Sequence, residues 1–265
     1  MFQEHQEHIN MSKYFNEEAI EQAKTPRKEE EAEDTIQTNL DKITVSQETE
    51  LSPAFDPIQR INNGFKHFKI NEFNKYPDYY RELAEKQEPK FLMFACSDSR
   101  VSPTNILNLR PGEAFMARNI ANMVPEFNQL KHAGVGAIIE YAILALKVEV
   151  ILVIGHSRCG GIGRLISLPD EETSYDFIDD WVKIGETAKA KVLAEHPHAS
   201  GEELQTLVEK ESVMNSLGNL LSYPYVRSGI ADKKLKLLGG YYDFVCGNFQ
   251  TFEVDDIKPT TNIQE

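Results

Sequence analysis

The chain has 265 residues, of which 41% are hydrophobic and 26% are charged, and its formal net charge is −14. This composition is typical of a soluble globular protein with one large core or two modest ones, and the negative charge argues against nucleic acid or an anionic membrane as a partner. No apolar run reaches the roughly 20 residues that span a bilayer, and no secretory signal pattern occurs. We expect a cytoplasmic protein, or an organellar one if a transit segment has been removed.

Residues 1–50 differ in character from the rest of the chain. They hold 13 acidic and 5 basic residues and few large apolar ones, so they lack the apolar surface that offsets the entropy cost of ordering. We expect 1–50 to form an acidic tail, partly helical around Asn16–Lys24 and otherwise disordered. We expect 51–265 to form a single domain.

An amphipathic helix is the first predicted element of this domain. Its apolar residues recur at three- and four-residue steps, behind a start signal Asp-Pro. They are Phe55, Ile58, Ile61, Phe65 and Phe68.

Strands and helices then alternate. The segments KFLMFAC and EAFMARN predict two strands, and VEVILVIGH predicts a buried strand of the parallel type. The segment GVGAIIEYAILALKV predicts a helix buried on most sides, because nearly all of its residues are apolar. Three further helices are predicted, at GGIGRLI, SYDFIDDWVKIGETAKAKVLAEH and GEELQTLVEKESVMNSLGNLL. A β-rich end, KLKLLGGYYDFVCGNFQTFEV, completes the pattern. This order indicates an α/β domain with a largely parallel sheet.

Two short motifs, CSDSR and HSRCGG, follow predicted strands and contain Cys96, His156 and Cys159. Three cysteines are too few for a disulfide framework, so functional ones are expected to be metal ligands or nucleophiles. Because ligands bind at the carboxyl ends of parallel strands, we expect the three side chains to share one crevice. Thiolate and imidazole are preferred ligands of zinc, and three of them leave a position open for water, as in catalytic sites.

An aspartate and an arginine lie two residues apart in the first motif. Asp98 would either fill the fourth zinc position or lie beside it and accept a hydrogen bond from hydroxide. Arg100 offers a planar fork that holds a carboxylate in one orientation and keeps it ionised. Two thiolates also neutralise the charge of the metal, so we expect activity to favour mildly alkaline pH.

Five sequence blocks in order resemble the β-class carbonic anhydrases of the plant type, from about Phe55 to Val254. They are CSDSRVSP, RPGEAFMARNIANMVP, GAIIEYAILALKV, VIGHSRCGG, and NLLSYPYVR followed by LGGYYDFVCGNF. The resemblance implies a sheet of four parallel strands and one antiparallel strand flanked by helices. It also implies reversible hydration of carbon dioxide to bicarbonate and a proton by zinc-bound hydroxide, with one zinc per subunit, in a homodimer that builds tetramers or octamers.

The resemblance also implies roles for individual residues. Cys96, His156 and Cys159 correspond to the zinc ligands, and Asp98 with Arg100 corresponds to the pair that orients the hydroxide.

The substrate pocket of the family corresponds to Gln87, Phe115 and Tyr141, with Gly160 supplying a backbone group beside the metal. In the family the glutamine and the aromatic residues reach the site across the dimer interface, so a monomer is expected to be inactive. Ala145 stands where many plant members carry a histidine that is proposed to help proton transfer. This leaves the proton shuttle unassigned.

Other interpretations stay open. A related zinc hydrolase of carbon disulfide or carbonyl sulfide would use the same ligands, and a non-catalytic scaffold would keep the same fold. The third cysteine, Cys246, is predicted to be a small buried apolar residue without a role.

Overall fold

The computed structural model describes residues 56–169 and 175–253. The predicted tail, 1–50, and its helix lie outside these residues, so the proposed division at residue 51 stays a prediction. Within the described part of the chain, no helix is both long and apolar enough to cross a membrane.

The first described helix, α1, spans Pro57–Phe68 and ends the first of two compact units of the chain. Its start is fixed by Asp56, whose carboxylate accepts a hydrogen bond of 2.9 Å from the backbone N–H of Ile58. The predicted helix is therefore confirmed. Its apolar stripe is exposed, with Ile61 at 70% and Phe65 at 64%.

The second unit, from Lys69 onward, is built on a sheet of five strands. The strands are β1 Phe91–Cys96, β2 Ala114–Asn119, β3 Val150–His156, β4 Lys236–Asp243 and β5 Asn248–Glu253. Their order in the sheet is β2-β1-β3-β4-β5. The first three neighbouring pairs are parallel and β4 with β5 is antiparallel, so the predicted sheet of four parallel strands and one antiparallel strand is confirmed.

Helices flank this sheet. They are α2 Pro77–Glu85, α3 Pro103–Ile106, α4 Ala133–Glu140, α5 Gly160–Ile166, α6 Ile178–Val182, α7 Glu186–Glu195, α8 Gly201–Leu220 and α9 Pro224–Ala231, with π-helical turns at Lys69–Phe73 and Tyr141–Ala145 and 3-10 turns at Ile120–Asn122 and Lys183–Gly185. One long helix was predicted where α6 and α7 occur. The interruption includes Gly185, where a Cβ atom would lie 2.8 Å from a methyl group of Leu165.

The central strands are buried on both faces, as the apolar run in β3 predicts. Phe94, Val153 and the α8 residues Val213 and Leu217 belong to one core cluster. The opposite face holds a smaller cluster around Met93, Ala95, Leu152 and Ile154.

Two burial predictions are wrong for the single chain. In α4 and the turn after it, Ile139 and Ala142 are buried, but Tyr141 and Leu144 are 49% and 48% exposed. Cys246 is also exposed, because it lies in the turn between β4 and β5. Apolar composition alone does not distinguish a core from a surface that another chain covers.

Replacing Gly155 in β3 by alanine is expected to destabilise the fold. The added Cβ would lie 2.6 Å from a methyl group of Val213 on α8, a β-branched residue packed in the core. Overpacking of this kind costs about 1–3 kcal/mol of unfolding free energy, measurable by urea denaturation. Gly218→Ala on α8, where a Cβ would meet nothing within 4 Å, is the control, and equal stability of the two variants would contradict the packing described.

Candidate metal site

Three buried side chains meet at the carboxyl edge of the sheet. Cys96 ends β1 and His156 ends β3, and these strands are parallel neighbours. Cys159 directly precedes α5. One ligand atom from each residue lies within 4.8 Å of the others, and each residue is at most 5% exposed. The structure thus brings together the three residues that the sequence predicts as metal ligands.

The donor atoms of this cluster fit a metal ion. The Nδ1 atom of His156 lies 2.9 Å from the carbonyl oxygen of Ser157, and because a carbonyl accepts hydrogen bonds, Nδ1 carries the ring proton. The other nitrogen, Nε2, is buried and has no hydrogen-bond partner within residues 56–169 and 175–253. A ring held by a backbone carbonyl at Nδ1, with Nε2 left to bind a metal, is typical of metal-binding histidines. Two thiols and one imidazole suit zinc.

Asp98 and Arg100 form a closely bonded pair beside the cluster. The Nε and Nη2 atoms of Arg100 donate to the two carboxylate oxygens of Asp98 at 3.0 and 2.7 Å, and the backbone N–H of Arg100 donates at 2.9 Å. These bonds hold the pKa of Asp98 well below its usual range. The guanidinium also lies 4.3 Å from the ring centre of Phe244 and donates to the carbonyl of Arg158. The carboxylate is therefore ionised and fixed in orientation.

A cavity of about 390 Å³ opens in front of the cluster. Cys96, Asp98 and Gly160 line its inner part, and Ile120 and Ile178 provide apolar wall. A Cβ at Gly160 would meet nothing within 4 Å, so the backbone at the start of α5 is open to the cavity. The site therefore combines a ligand cluster, a fixed carboxylate and space for a small molecule.

Comparison with known proteins agrees with this geometry. A family model described as carbonic anhydrase matches residues 91–249. Beta carbonic anhydrase 3 of Arabidopsis thaliana is 49% identical over 218 residues, which cover 82% of this chain and 84% of the relative. The chain belongs to the β-carbonic anhydrases.

Solved structures of other β-carbonic anhydrases share its fold. The β-carbonic anhydrase CcaA is 32% identical, with a TM-score of 0.70 over 74% of this chain and 87% of that chain. A tetrameric β-carbonic anhydrase of Sordaria macrospora is 29% identical, with a TM-score of 0.63 over 74% of this chain and 94% of that chain. The family and enzyme class expected from the sequence are confirmed.

The aromatic residues expected in the substrate pocket lie away from the metal cluster of the same chain. Phe115 pairs with Leu92, whereas Asn119, four residues later in β2, pairs with Cys96. At 3.3 Å per residue this separates Phe115 from the metal end of the strand by roughly 13 Å. The Tyr141 ring lies 5.8 Å from that of Phe115. These two side chains therefore meet each other near the amino end of the sheet in this carbonic anhydrase.

The third expected pocket residue, Gln87, is exposed and precedes the first residue of β1. Cys96 is at the other end of that strand. Within one chain, Gln87 is thus also separated from the metal cluster by the length of β1.

A buried carboxylate behind the cluster was not predicted from the sequence. Glu209 on α8 is 2% exposed and accepts a hydrogen bond of 2.8 Å from the backbone N–H of Cys159. Burial raises the pKa of Glu209, although its hydrogen-bond donors oppose this. The sequence did contain a signal for its burial. Glu209 stands four residues before Val213 and eight before Leu217, and so lies on the apolar stripe of the helix.

The two thiols of this β-carbonic anhydrase share a proton when no metal is bound. The hydrogen bond between them lowers the pKa of Cys96 to about 4 and raises the pKa of Cys159. Metal binding requires both as thiolates, so the affinity for metal falls as the pH falls.

The metal-free enzyme is expected to hold one buried thiolate at about pH 6, where an ordinary cysteine is protonated. Its ultraviolet absorbance should disappear as the pH falls through about 4, the pKa of Cys96. Cys159→Ser should move this transition to higher pH, because the serine is a weaker partner for the thiolate. Cys246→Ser, at the exposed cysteine, is the control. Absence of thiolate absorbance at the starting pH would contradict the assignment.

Proposed function

We propose that this enzyme catalyses reversible hydration of carbon dioxide to bicarbonate and a proton, with one zinc ion held by Cys96, His156 and Cys159. The observation that carries the proposal is that Cys96 of the three-ligand cluster and Asp98 of the Asp98–Arg100 pair line the same cavity. When bound, zinc supplies a Lewis acid that makes water a stronger acid.

The position of Asp98 supports an open rather than a closed metal site. Both of its carboxylate oxygens accept hydrogen bonds from Arg100. Among the described residues, the cluster that could hold a metal consists of two cysteines and one histidine without Asp98. We therefore place Asp98 beside the fourth position, where it governs what can occupy that position.

The ionised Asp98 acts as a hydrogen-bond acceptor. It would accept a hydrogen bond from the O–H group of the attacking hydroxide and so turn an oxygen lone pair toward the carbon of carbon dioxide. An anion without a proton is repelled at the same place. At the start of α5, the backbone of Gly160 lies where it can stabilise the developing negative charge of bicarbonate.

A second subunit would complete the substrate pocket with its own Gln87, Phe115 and Tyr141. The support is an apolar groove of about 580 Å³ on one chain, which includes Phe115, Tyr141, Ile138 and Leu144. Half-exposed aromatic and aliphatic side chains in one patch are typical of a subunit interface. We propose a homodimer, alone or within a tetramer or octamer.

Asp98→Asn is expected to lower kcat by about 10²–10³-fold while zinc stays bound, because the amide presents an N–H group where an acceptor is needed. Stopped-flow hydration of carbon dioxide and metal analysis of the same sample measure the two quantities. Asp180→Asn, at an exposed aspartate paired with Lys183, is the control. Unchanged turnover in the Asp98 variant would refute its role.

The substrate is tested separately with the native enzyme. If it hydrolyses carbonyl sulfide faster than it hydrates carbon dioxide, the result would favour the alternative of a related zinc hydrolase.

Leu144→Glu is expected to give monomers with little activity. The side chain is 48% exposed in the apolar groove, and burying the new charge against a second subunit would cost more than the contact gains. Light scattering measures the molecular mass in solution, and stopped-flow kinetics measures the hydration activity. Leu193→Glu, at a similarly exposed leucine on α7, should change neither. A fully active Leu144→Glu monomer would exclude a pocket shared between subunits.

A further inference from the structure

Both backbone polar groups of Cys159 are bonded to side chains of helix α8. The N–H group donates to Oε1 of Glu209 at 2.8 Å, and the carbonyl oxygen accepts from Nε2 of Gln205 at 3.2 Å. Gln205 also donates to Oε1 of Glu209 at 3.0 Å, and the hydroxyl of Tyr241 donates to Oε2 at 2.8 Å. A polar network therefore surrounds the peptide groups of one expected zinc ligand.

The residues that make these contacts lie on one face of α8. Glu202, Gln205 and Glu209 follow each other at steps of three and four residues, the spacing that aligns side chains along a helix. Glu202 bonds the guanidinium of Arg158 at 2.8 Å, but both side chains are more than half exposed, so this pair adds little. Gln205 and Glu209 lie deeper, and Glu209 is 2% exposed.

The loop between His156 and Cys159 has an unfavourable backbone conformation. Arg158, between His156 and Cys159, has φ = 51°, a left-handed conformation that costs a non-glycine residue about 1 kcal/mol or more. Such a conformation persists where surrounding contacts fix it. The hydrogen bonds from α8 to the backbone of this loop are at the next residue, Cys159.

We propose that Glu209, assisted by Gln205, is a positioning residue that fixes the backbone of Cys159 and so sets the geometry and strength of metal binding. This inference rests on the proposed zinc site. Glu209 acts through Cys159 and does not touch the substrate. Its bond fixes the first turn of α5, where the N–H groups of Gly161 and Ile162 point to the sulfur of Cys159. Outer contacts of this kind orient metal ligands and tune the metal.

The role requires an acceptor of this length and not a particular charge. In Glu209→Gln the amide oxygen can still accept from Cys159, and the amide nitrogen can donate to the oxygen of Tyr241. In Glu209→Met the shape is similar, but the N–H group of Cys159 loses its acceptor. The pair of variants therefore separates the hydrogen bond from the packing.

The test is the rate at which the purified zinc enzyme loses its metal to an excess of chelator. Glu209→Met should lose zinc about 10–100-fold faster than the native enzyme, and Glu209→Gln should stay within about threefold of it, as expected for an outer contact of a metal ligand. After replacement of zinc by cobalt, the thiolate-to-cobalt absorption band should shift in Glu209→Met and be restored in Glu209→Gln. Gln205→Met removes the hydrogen bonds from Gln205 to the carbonyl of Cys159 and to Glu209. It leaves the bond between Glu209 and the N–H group of Cys159 in place, and so provides a milder variant if Glu209→Met does not fold.

Ser212→Ala is the matched control. Ser212 lies one turn further along α8, is equally buried, and its hydroxyl has no hydrogen-bond partner in the described part of the chain. Native zinc retention and an unshifted cobalt band in a folded Glu209→Met or Gln205→Met variant would overturn the inference. A native enzyme that holds no zinc would instead refute the proposed function, so the two failures are distinguishable.

Discussion

The site depends on the parallel pairing of β1 with β3. In this register Ala95 lies beside Ile154, so the two strands end within one residue of each other. Cys96 and His156 therefore lie at the same edge of the sheet. A slip of one residue would turn every side chain of a strand to the opposite face. Because both faces of these strands are packed in the core, such a slip would exchange the side chains of the two clusters and leave both badly packed. Core packing thus fixes the position of the metal ligands.

A second constraint at this edge of the sheet is that each buried charge must be compensated. Two thiols, an imidazole and the carboxylate of Glu209 are nearly inaccessible to water, and burial of charge is unfavourable unless each group is compensated. Asp98 is compensated by Arg100, and Glu209 by three N–H or O–H donors. The thiols have a shared proton in place of a cation. A divalent cation is the compensation that allows both of them to ionise, which agrees with a metal site at this position.

The sequence was sufficient where the signal is local. Cys96, Asp98, Arg100 and His156 follow strands whose apolar runs are unmistakable, and the rule that parallel strands present their ends together places them in one crevice. The contacts of Glu209 and Gln205 with Cys159 could not be predicted in this way, because they join residues about 50 positions apart through the packing of α8 on the sheet. The break between α6 and α7 could not be predicted for the same reason, because it depends on the close packing of the Leu165 side chain against Gly185.

The error over α4 has a different cause. Its apolar composition predicted burial. Composition does not distinguish burial in the core of the same chain from burial against a second chain. The metal cluster lies at the carboxyl end of the sheet, whereas Phe115 and Tyr141 lie toward the amino end with Leu144 beside them. In the proposed dimer the groove of one subunit would lie against the metal end of its partner, and a two-fold axis would make this contact twice, because residue i of each chain then meets residue j of the other. The burial that α4 lacks in the single chain would then be supplied by the contact that completes the substrate pocket, and folding and catalysis would depend on the same interface.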